Sequence, residues 1–263
     1  MKVKCYQVSS TGVVRDHNED FIAFWEPADF DLRQQLGSIA ILADGVGGQG
    51  HGEVASRLAA EAALAVFKEA KPETTPANLI RQIFNEASTK VFHAGQEQGR
   101  MATTLLVSLF RQDGATIAHV GDSRAYLFRA HALQQLTSDH SLVAEQVRHG
   151  LMSHQQAATS ELQSLLTRAL GTEENVTVDA DEIELFLGDS LLLCSDGLTR
   201  MVPENEIASI LTQIPSVRIA AERLVSRANE HGGQDNITVI VIRMNKPRSW
   251  FAKFIPWCSS NLV

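Results

Sequence analysis

The chain has 263 residues, 44% of them hydrophobic and 21% charged, the balance of a soluble globular protein with a sizeable core. Its 31 acidic and 23 basic side chains leave a net charge of −8 with no basic cluster in the body of the chain, which argues against nucleic acid as a partner. Cys5, Cys194 and Cys258 lie far apart, without metal-ligand spacing or a disulfide framework, and no apolar run reaches the ~18 residues of a membrane span. With no signal-peptide core at the start either, a cytoplasmic protein is expected.

Residues 3–9 alternate as a strand, and a polar segment, Thr11-Gly-Val-Val-Arg15-Asp-His-Asn-Glu19-Asp20, leads into a second short strand at 21–25. A third strand, 38–43, ends on Asp44 and passes into a loop crowded with glycine from Gly45 to Gly50. Two helices follow at 53–70 and 76–96, the second with Leu79, Ile83, Ala87 and Val91 at helical spacing and Pro76 placed to start it. The period then changes. Residues 101–110, 115–120 and 125–128 read as consecutive strands joined by short turns, which predicts an antiparallel meander.

From 138 to 170 the chain is polar and helix-prone with weak periodicity, long enough to suggest a functional flap. Strands resume at 176–186 and 190–195, helices at 204–213 and 217–230, and a last strand spans 236–243. Strands and helices thus come in runs, which predicts an α+β protein built on antiparallel sheets with helices outside. One domain is expected over 1–244, followed by a basic-aromatic tail over 245–263. In that tail Trp250, Phe251, Phe254, Ile255 and Trp257 stand beside Lys246, Arg248 and Lys253, a composition suited to a membrane surface or a partner, and equally to packing on the body or to disorder.

Aspartate is rare inside strands and common in turns and caps, yet five aspartates share one setting. Asp20, Asp44, Asp122, Asp196 and Asp235 all stand where a predicted strand begins or ends, and three of the five adjoin a glycine. Gathered at one edge of a sandwich, such carboxylates would be costly without cations. Oxygen-only donors suit Mn²⁺ or Mg²⁺, whereas zinc favours His and Cys, which are not suitably placed.

These residues belong to a larger ordered set. Arg15-x-x-x-Glu19-Asp20, Asp44-Gly45-x-Gly47-Gly48, Gly52-Glu53-x-Ala55-Ser56 and Thr103-Thr104 are followed by Gly121-Asp122-Ser123-Arg124, Thr167-Arg-Ala-Leu-Gly171, Ser195-Asp196-Gly197 and Asp235-Asn236. The set resembles the metal-dependent (PPM, type 2C) serine/threonine protein phosphatases, most of all their compact bacterial branch, from about residue 3 to residue 243. That resemblance implies an α-β-β-α sandwich of two mainly antiparallel sheets with a metal centre at one end.

It also implies roles. Asp44 would bridge two metal ions, with the Gly45 carbonyl on one and Asp196 and Asp235 on the other. Asp20 and Glu19 would hold coordinated waters, and Asp122, sharing Asp196, would help bind a weaker third ion. Arg15 would pair with the substrate phosphate through its guanidinium fork. Two cations roughly 3.5–4 Å apart would activate a bridging water for in-line attack, with no phosphoenzyme. The implied partners are phosphoproteins, with a cognate serine/threonine kinase as counterpart, and the enzyme is expected to be a monomer.

Two departures concern the proton donor to the leaving group. Val46 stands where some members have histidine after the Asp-Gly pair, and Gln49 where bacterial relatives often have one. A metal-bound water, His51 and His17 remain open as candidates.

Three other readings compete. Gly45-x-Gly47-x-x-Gly50 fits a dinucleotide fingerprint between strand and helix, but no second parallel strand ending in an acid follows. Cys194 and Arg200 have the Cys-x5-Arg spacing of cysteine-dependent phosphatases, but Asp196 inside that loop would repel a phosphate. A phosphatase-like fold that binds without turnover is the third, and no substituted metal ligand marks it.

Overall fold

Strands with apolar residues on both faces need cover on both faces. The structure, a computed structural model describing residues 2–46, 51–111, 114–157 and 159–245, supplies it with two stacked sheets between pairs of helices. One sheet has the order β1 (Lys2–Ser10), β11 (Ile237–Asn245), β10 (Ser190–Cys194), β7 (Arg124–Arg129), β8 (Ala132–Gln135). The other runs β2 (Asp20–Trp25), β3 (Ser38–Val46), β5 (Leu105–Arg111), β6 (Gly114–Val120), β9 (Asp179–Glu184), with the short β4 (Ala102–Thr103) beside the end of β3. Every pairing is antiparallel.

The alternation sorts the core into three layers. On β3, Ile39, Ile41 and Ala43 face the helices α2 (Gly52–Glu69) and α3 (Pro76–Gln98), while Ala40 and Leu42 face the opposite sheet. On β10 and β11, Leu192, Val239 and Val241 pack under α7 (Glu204–Gln213) and α8 (Val217–Glu230). Leu191, Leu193, Ile240 and Ile242 fill the space between the sheets. This is the expected α-β-β-α sandwich. In α2 the residues turned inward are mostly alanines, Ala55, Ala59, Ala60, Ala62 and Ala63, which lets the helix lie close to the sheet and to α3.

The predicted meander is not formed. β5 and β6 pair as a hairpin, but the chain then crosses to the other sheet, where β7 pairs with β10 and β8. The crossing is made at Gly121, whose φ of +108° is costly for any other residue. An added Cβ there would also lie 2.5 Å from the Thr104 side chain. The run 101–110 is divided into β4 and β5 by Thr104, and the strand expected at 176–186 is confined to β9. A short helix, α1 (Phe30–Leu36), capped by Asp29 accepting from the Leu32 N–H at 2.8 Å, was not anticipated. The aromatic tail from Lys246 onward and the loop residues Gly47, Gly48, Gln49 and Gly50 lie outside the described residues.

Leu42 has no solvent exposure between the two sheets. Leu42→Ala is expected to cost about 2–5 kcal/mol through lost burial and the cavity left behind. In urea this appears as a lower midpoint at unchanged slope; a midpoint equal to the wild type would contradict the layer assignment.

Candidate active site

Register gathers the aspartates. Asp20 at the start of β2 lies opposite Asp44 near the end of β3, and Leu105 opposite Val120 brings the Asp122 turn to the same edge. In the other sheet Cys194 pairs with both Val239 and Arg124, so Asp196 leaves β10 where Asp235 enters β11. The two sheets therefore deliver all five carboxylates to one end of the sandwich.

Hydrogen bonds to neighbouring hydroxyls and backbone groups fix Asp44 and Asp20 in place. The Asp44 N–H donates to Thr104 Oγ1 at 2.9 Å, and the Asp44 carbonyl accepts from the Thr104 N–H at 2.8 Å and from Thr103 Oγ1 at 2.9 Å. Thr104 Oγ1 in turn lies 2.8 Å from Ser123 Oγ, a buried link from Asp44 to the Asp122 turn. Gly45 has no room for a side chain, because a Cβ would meet the Gly52 carbonyl at 2.2 Å. Ser195 Oγ donates to Asp20 Oδ2 at 2.9 Å and accepts from the Thr238 N–H at 3.0 Å.

The segment before β2 is anchored by Asn236. Its amide donates to the carbonyls of Thr11 and His17 at 3.0 and 2.9 Å and its Oδ1 accepts from the Glu19 N–H at 2.8 Å. Beside it Arg15 pairs with Asp235 at 2.9 Å, the guanidinium half exposed. Arg15, Asp235, Gln234, Gly197, Met201 and Arg200 line a recess of about 170 Å³.

Crowding raises the proton affinity of the cluster. Asp44 is pushed well above the usual carboxylate range by desolvation and then by the charges of Asp20, Asp196, Asp122 and Asp235. Desolvation, followed by Asp196 among its neighbours, lifts Asp20 to about 7 and Asp122 to about 8. Asp196 is raised by desolvation against the lowering effect of Arg200. Asp20 Oδ1 is buried with no hydrogen-bond partner among the described residues. A set of crowded carboxylate and carbonyl oxygens, one of them orphaned, has the donor chemistry of a hard divalent cation.

Sequence reasoning missed a second constellation. His119, His140 and Asp179 each offer a ligand atom within 4.8 Å of the others. Their hydrogen bonds account for them without a metal. His140 Nδ1 accepts from the Gly121 N–H at 3.1 Å, so the proton sits on Nε2, 3.1 Å from Asp179 Oδ2. His119 Nε2 lies 3.0 Å from the Ser138 carbonyl, which can only accept, and the two rings stack at 4.6 Å. Burial holds both imidazoles below their usual range, His140 at about 4, so the pair is neutral and pins the Gly121–Asp122 turn to residues 138–140. The one signal in the sequence was His119 in the strand just before the Gly-Asp-Ser-Arg turn, and its partners are distant in the chain.

The chain and its fold have counterparts among known proteins. A family profile described as protein phosphatase 2C matches residues 13–231. The chain belongs to the protein phosphatase 2C family. The serine/threonine phosphatase stp of Listeria monocytogenes is 39% identical over 237 residues, covering 88% of this chain and 92% of the relative. The S. agalactiae serine/threonine phosphatase superposes with a TM-score of 0.83 at 31% identity, over 93% of this chain and all of that one. The catalytic domain of the serine/threonine protein phosphatase PstP, solved in complex with 2 manganese ions, superposes at 0.80 with 32% identity, over 93% and 99% of the two chains. The chain is thus a serine/threonine protein phosphatase by family.

Within this phosphatase the profile match stops short of Asp235, whose place at the site rests on the geometry above. Cys194 is no nucleophile: it is fully buried on the helix side of β10, and desolvation pushes its thiol up to about 12. Of the two histidines considered as proton donors, His51 stands at the first position before α2, making no side-chain capping bond, with its ring beside Gly99 at the end of α3. His17 is exposed, its carbonyl held by Asn236.

The raised carboxylates set a pH dependence. An aspartate unfolds to an ordinary value of about 3.9, so the native state binds more protons than the unfolded chain between about pH 4 and about pH 8. Stability from these groups is present below that window and lost as pH rises through about 7 for Asp20 and about 8 for Asp122. Above about pH 6.5, where the neutral His119–His140 pair has already made its opposite contribution, metal-stripped protein is expected to melt at lower temperature as pH rises to about 8. A melting temperature that climbs over that interval would refute the crowding.

Proposed function

We propose that this phosphatase hydrolyses phosphoserine and phosphothreonine in proteins at a centre of two divalent cations, Mn²⁺ or Mg²⁺. The observation that carries the reading is the convergence of Asp20, Asp44, Asp122, Asp196 and Asp235 at one end of the sandwich, with the proton affinities of Asp20, Asp44, Asp122 and Asp196 raised and Asp20 Oδ1 orphaned. Asp44 would sit between the two ions, the Gly45 carbonyl on one side and Asp196 and Asp235 on the other, with Asp20 and Glu19 in the surrounding shell. When bound, such ions lower the pKa of a water and neutralise phosphate charge. The PstP neighbour solved with manganese supports the choice of metal class.

The chain's own residues have separate tasks in this reading. Arg15, at the mouth of the recess beside Asp235, holds the phosphate of the incoming side chain and orients it toward Asp44. Thr104, Ser123, Ser195 and Asn236 fix the backbone that presents the carboxylates. The partners are phosphoproteins, with a serine/threonine kinase supplying the modification that is removed, in the cytoplasm. No helix among the described residues is long and apolar enough to cross a membrane.

Residues 138–170 act in this reading as a substrate-selecting flap. Both ends are sewn to the body: the His140 N–H donates to the Gly121 carbonyl at 3.0 Å, and Thr103 and Leu170 exchange hydrogen bonds. Between them α4 (Leu142–Arg148) and α5 (His154–Ala157) wall a groove of about 710 Å³ that runs down to Asp122 and Asp196. Replacing the flap with that of a relative is expected to change the ranking of phosphopeptide substrates, and an unaltered ranking would remove the flap from substrate choice.

Hydrolysis of a phosphothreonine peptide is expected to vanish in EDTA and return with Mn²⁺. Asp44→Asn and Asp196→Asn should abolish turnover in folded protein, and Cys194→Ser should leave it unchanged. Arg15→Ala should raise KM by roughly 10–100-fold, the equivalent of a charged hydrogen bond worth ~1.5–3 kcal/mol. Activity indifferent to EDTA would refute the metal reading.

A further inference from the structure

The edge between Asp122 and Asp196, where the family resemblance implies a weaker third ion, is already in contact with a cation of the chain itself. Arg200 stands one helical turn beyond Asp196, at the end of the short helix α6 (Asp196–Thr199), and its N–H donates to the Asp196 carbonyl at 2.9 Å. That turn points its side chain back along the helix toward the carboxylates. Arg200 Nη2 lies 2.5 Å from Asp196 Oδ2 and 3.8 Å from Asp122 Oδ2, with the three side chains only 25%, 16% and 10% exposed. The same guanidinium borders both the small recess with Arg15 and the large groove under residues 138–170.

A guanidinium stays charged at every working pH and donates from a rigid planar fork, so it makes a stable partner for two carboxylates. A divalent ion held between Asp122 and Asp196 needs carboxylate lone pairs at about 2.0–2.1 Å for Mg²⁺. Arg200 already engages one of those oxygens and approaches the other. The two cations therefore compete, and the ion's apparent affinity falls by the fraction of time Arg200 leaves the edge open. Resting on the two-ion reading of the centre, we propose that Arg200 is a tethered cation that occupies the Asp122–Asp196 edge in place of the third ion.

The chain then neutralises the Asp122–Asp196 edge with a covalently attached charge and needs only two divalent ions. The same tether leaves Asp122 serving Arg200, and through it the wall of the groove, more than it serves a metal.

The test is a count of bound ions, independent of catalysis. Isothermal titration of the metal-stripped full chain with Mn²⁺ is expected to show two ions per chain in the wild type and no third in the titrated range. Arg200→Ala should add a third ion, or tighten a marginal one by roughly tenfold or more. Combining it with Asp122→Asn should remove that gain. Should Arg200→Ala fail to fold, Arg200→Gln removes the charge at nearly constant shape and carries the same expectation.

A wild type that already binds three ions, with the third unchanged by losing Arg200, overturns the proposal, as does a charge-removing variant that still binds only two. A wild type binding fewer than two ions overturns the two-ion reading itself, and this inference with it.

Discussion

Five carboxylates forced onto one edge of a sandwich are the constraint around which the rest of the site is arranged. Asp20 and Asp44 face each other across a pair of antiparallel strands, and Asp122, Asp196 and Asp235 arrive from the turns beside them. Like charges at such separations favour protonation, which is why desolvation and mutual repulsion raise Asp20, Asp44, Asp122 and Asp196 together. Cations relieve the same stress. The geometry supplies two kinds: basic side chains at the rim, Arg15 on Asp235 and Arg200 on Asp196, and oxygen donors at the centre suited to divalent ions.

Holding that stress in place requires a rigid frame, and the frame is made of hydrogen bonds from uncharged side chains. Thr104 and Ser123 join the strand end at Asp44 to the turn at Asp122, Ser195 joins Asp20 to β11, and Asn236 closes the segment that carries Arg15 and Glu19. The stacked His119 and His140 extend the frame outward, tying Gly121 to residues 138–140, where the groove wall begins. Uncharged supports of this kind leave the carboxylates free to answer to one another and to cations.

The layer structure was legible because both faces of β3, β5, β10 and β11 are apolar and the helices keep clean spacing; α7 and α8 fall where the pattern puts them. The strand-end position of each aspartate was legible for the same reason. Sheet membership was not. Residues 101–128 read as one meander, because nothing in a local pattern says that Gly121 at φ +108° sends the chain to the other sheet. The histidine pair was silent because each histidine alone looks like an ordinary strand or turn residue, and Asp179 is remote in the chain. Arg200 drew attention for its spacing from Cys194. Its i, i+4 relation to Asp196 is what the folded chain uses, while Cys194 faces the core.

The measurement that bears most directly on this account is anomalous diffraction at the manganese edge from crystals grown with Mn²⁺. The account predicts two strong peaks bordered by Asp44, the Gly45 carbonyl, Asp196 and Asp235. A principal peak between His119, His140 and Asp179, or none beside Asp44, would contradict it.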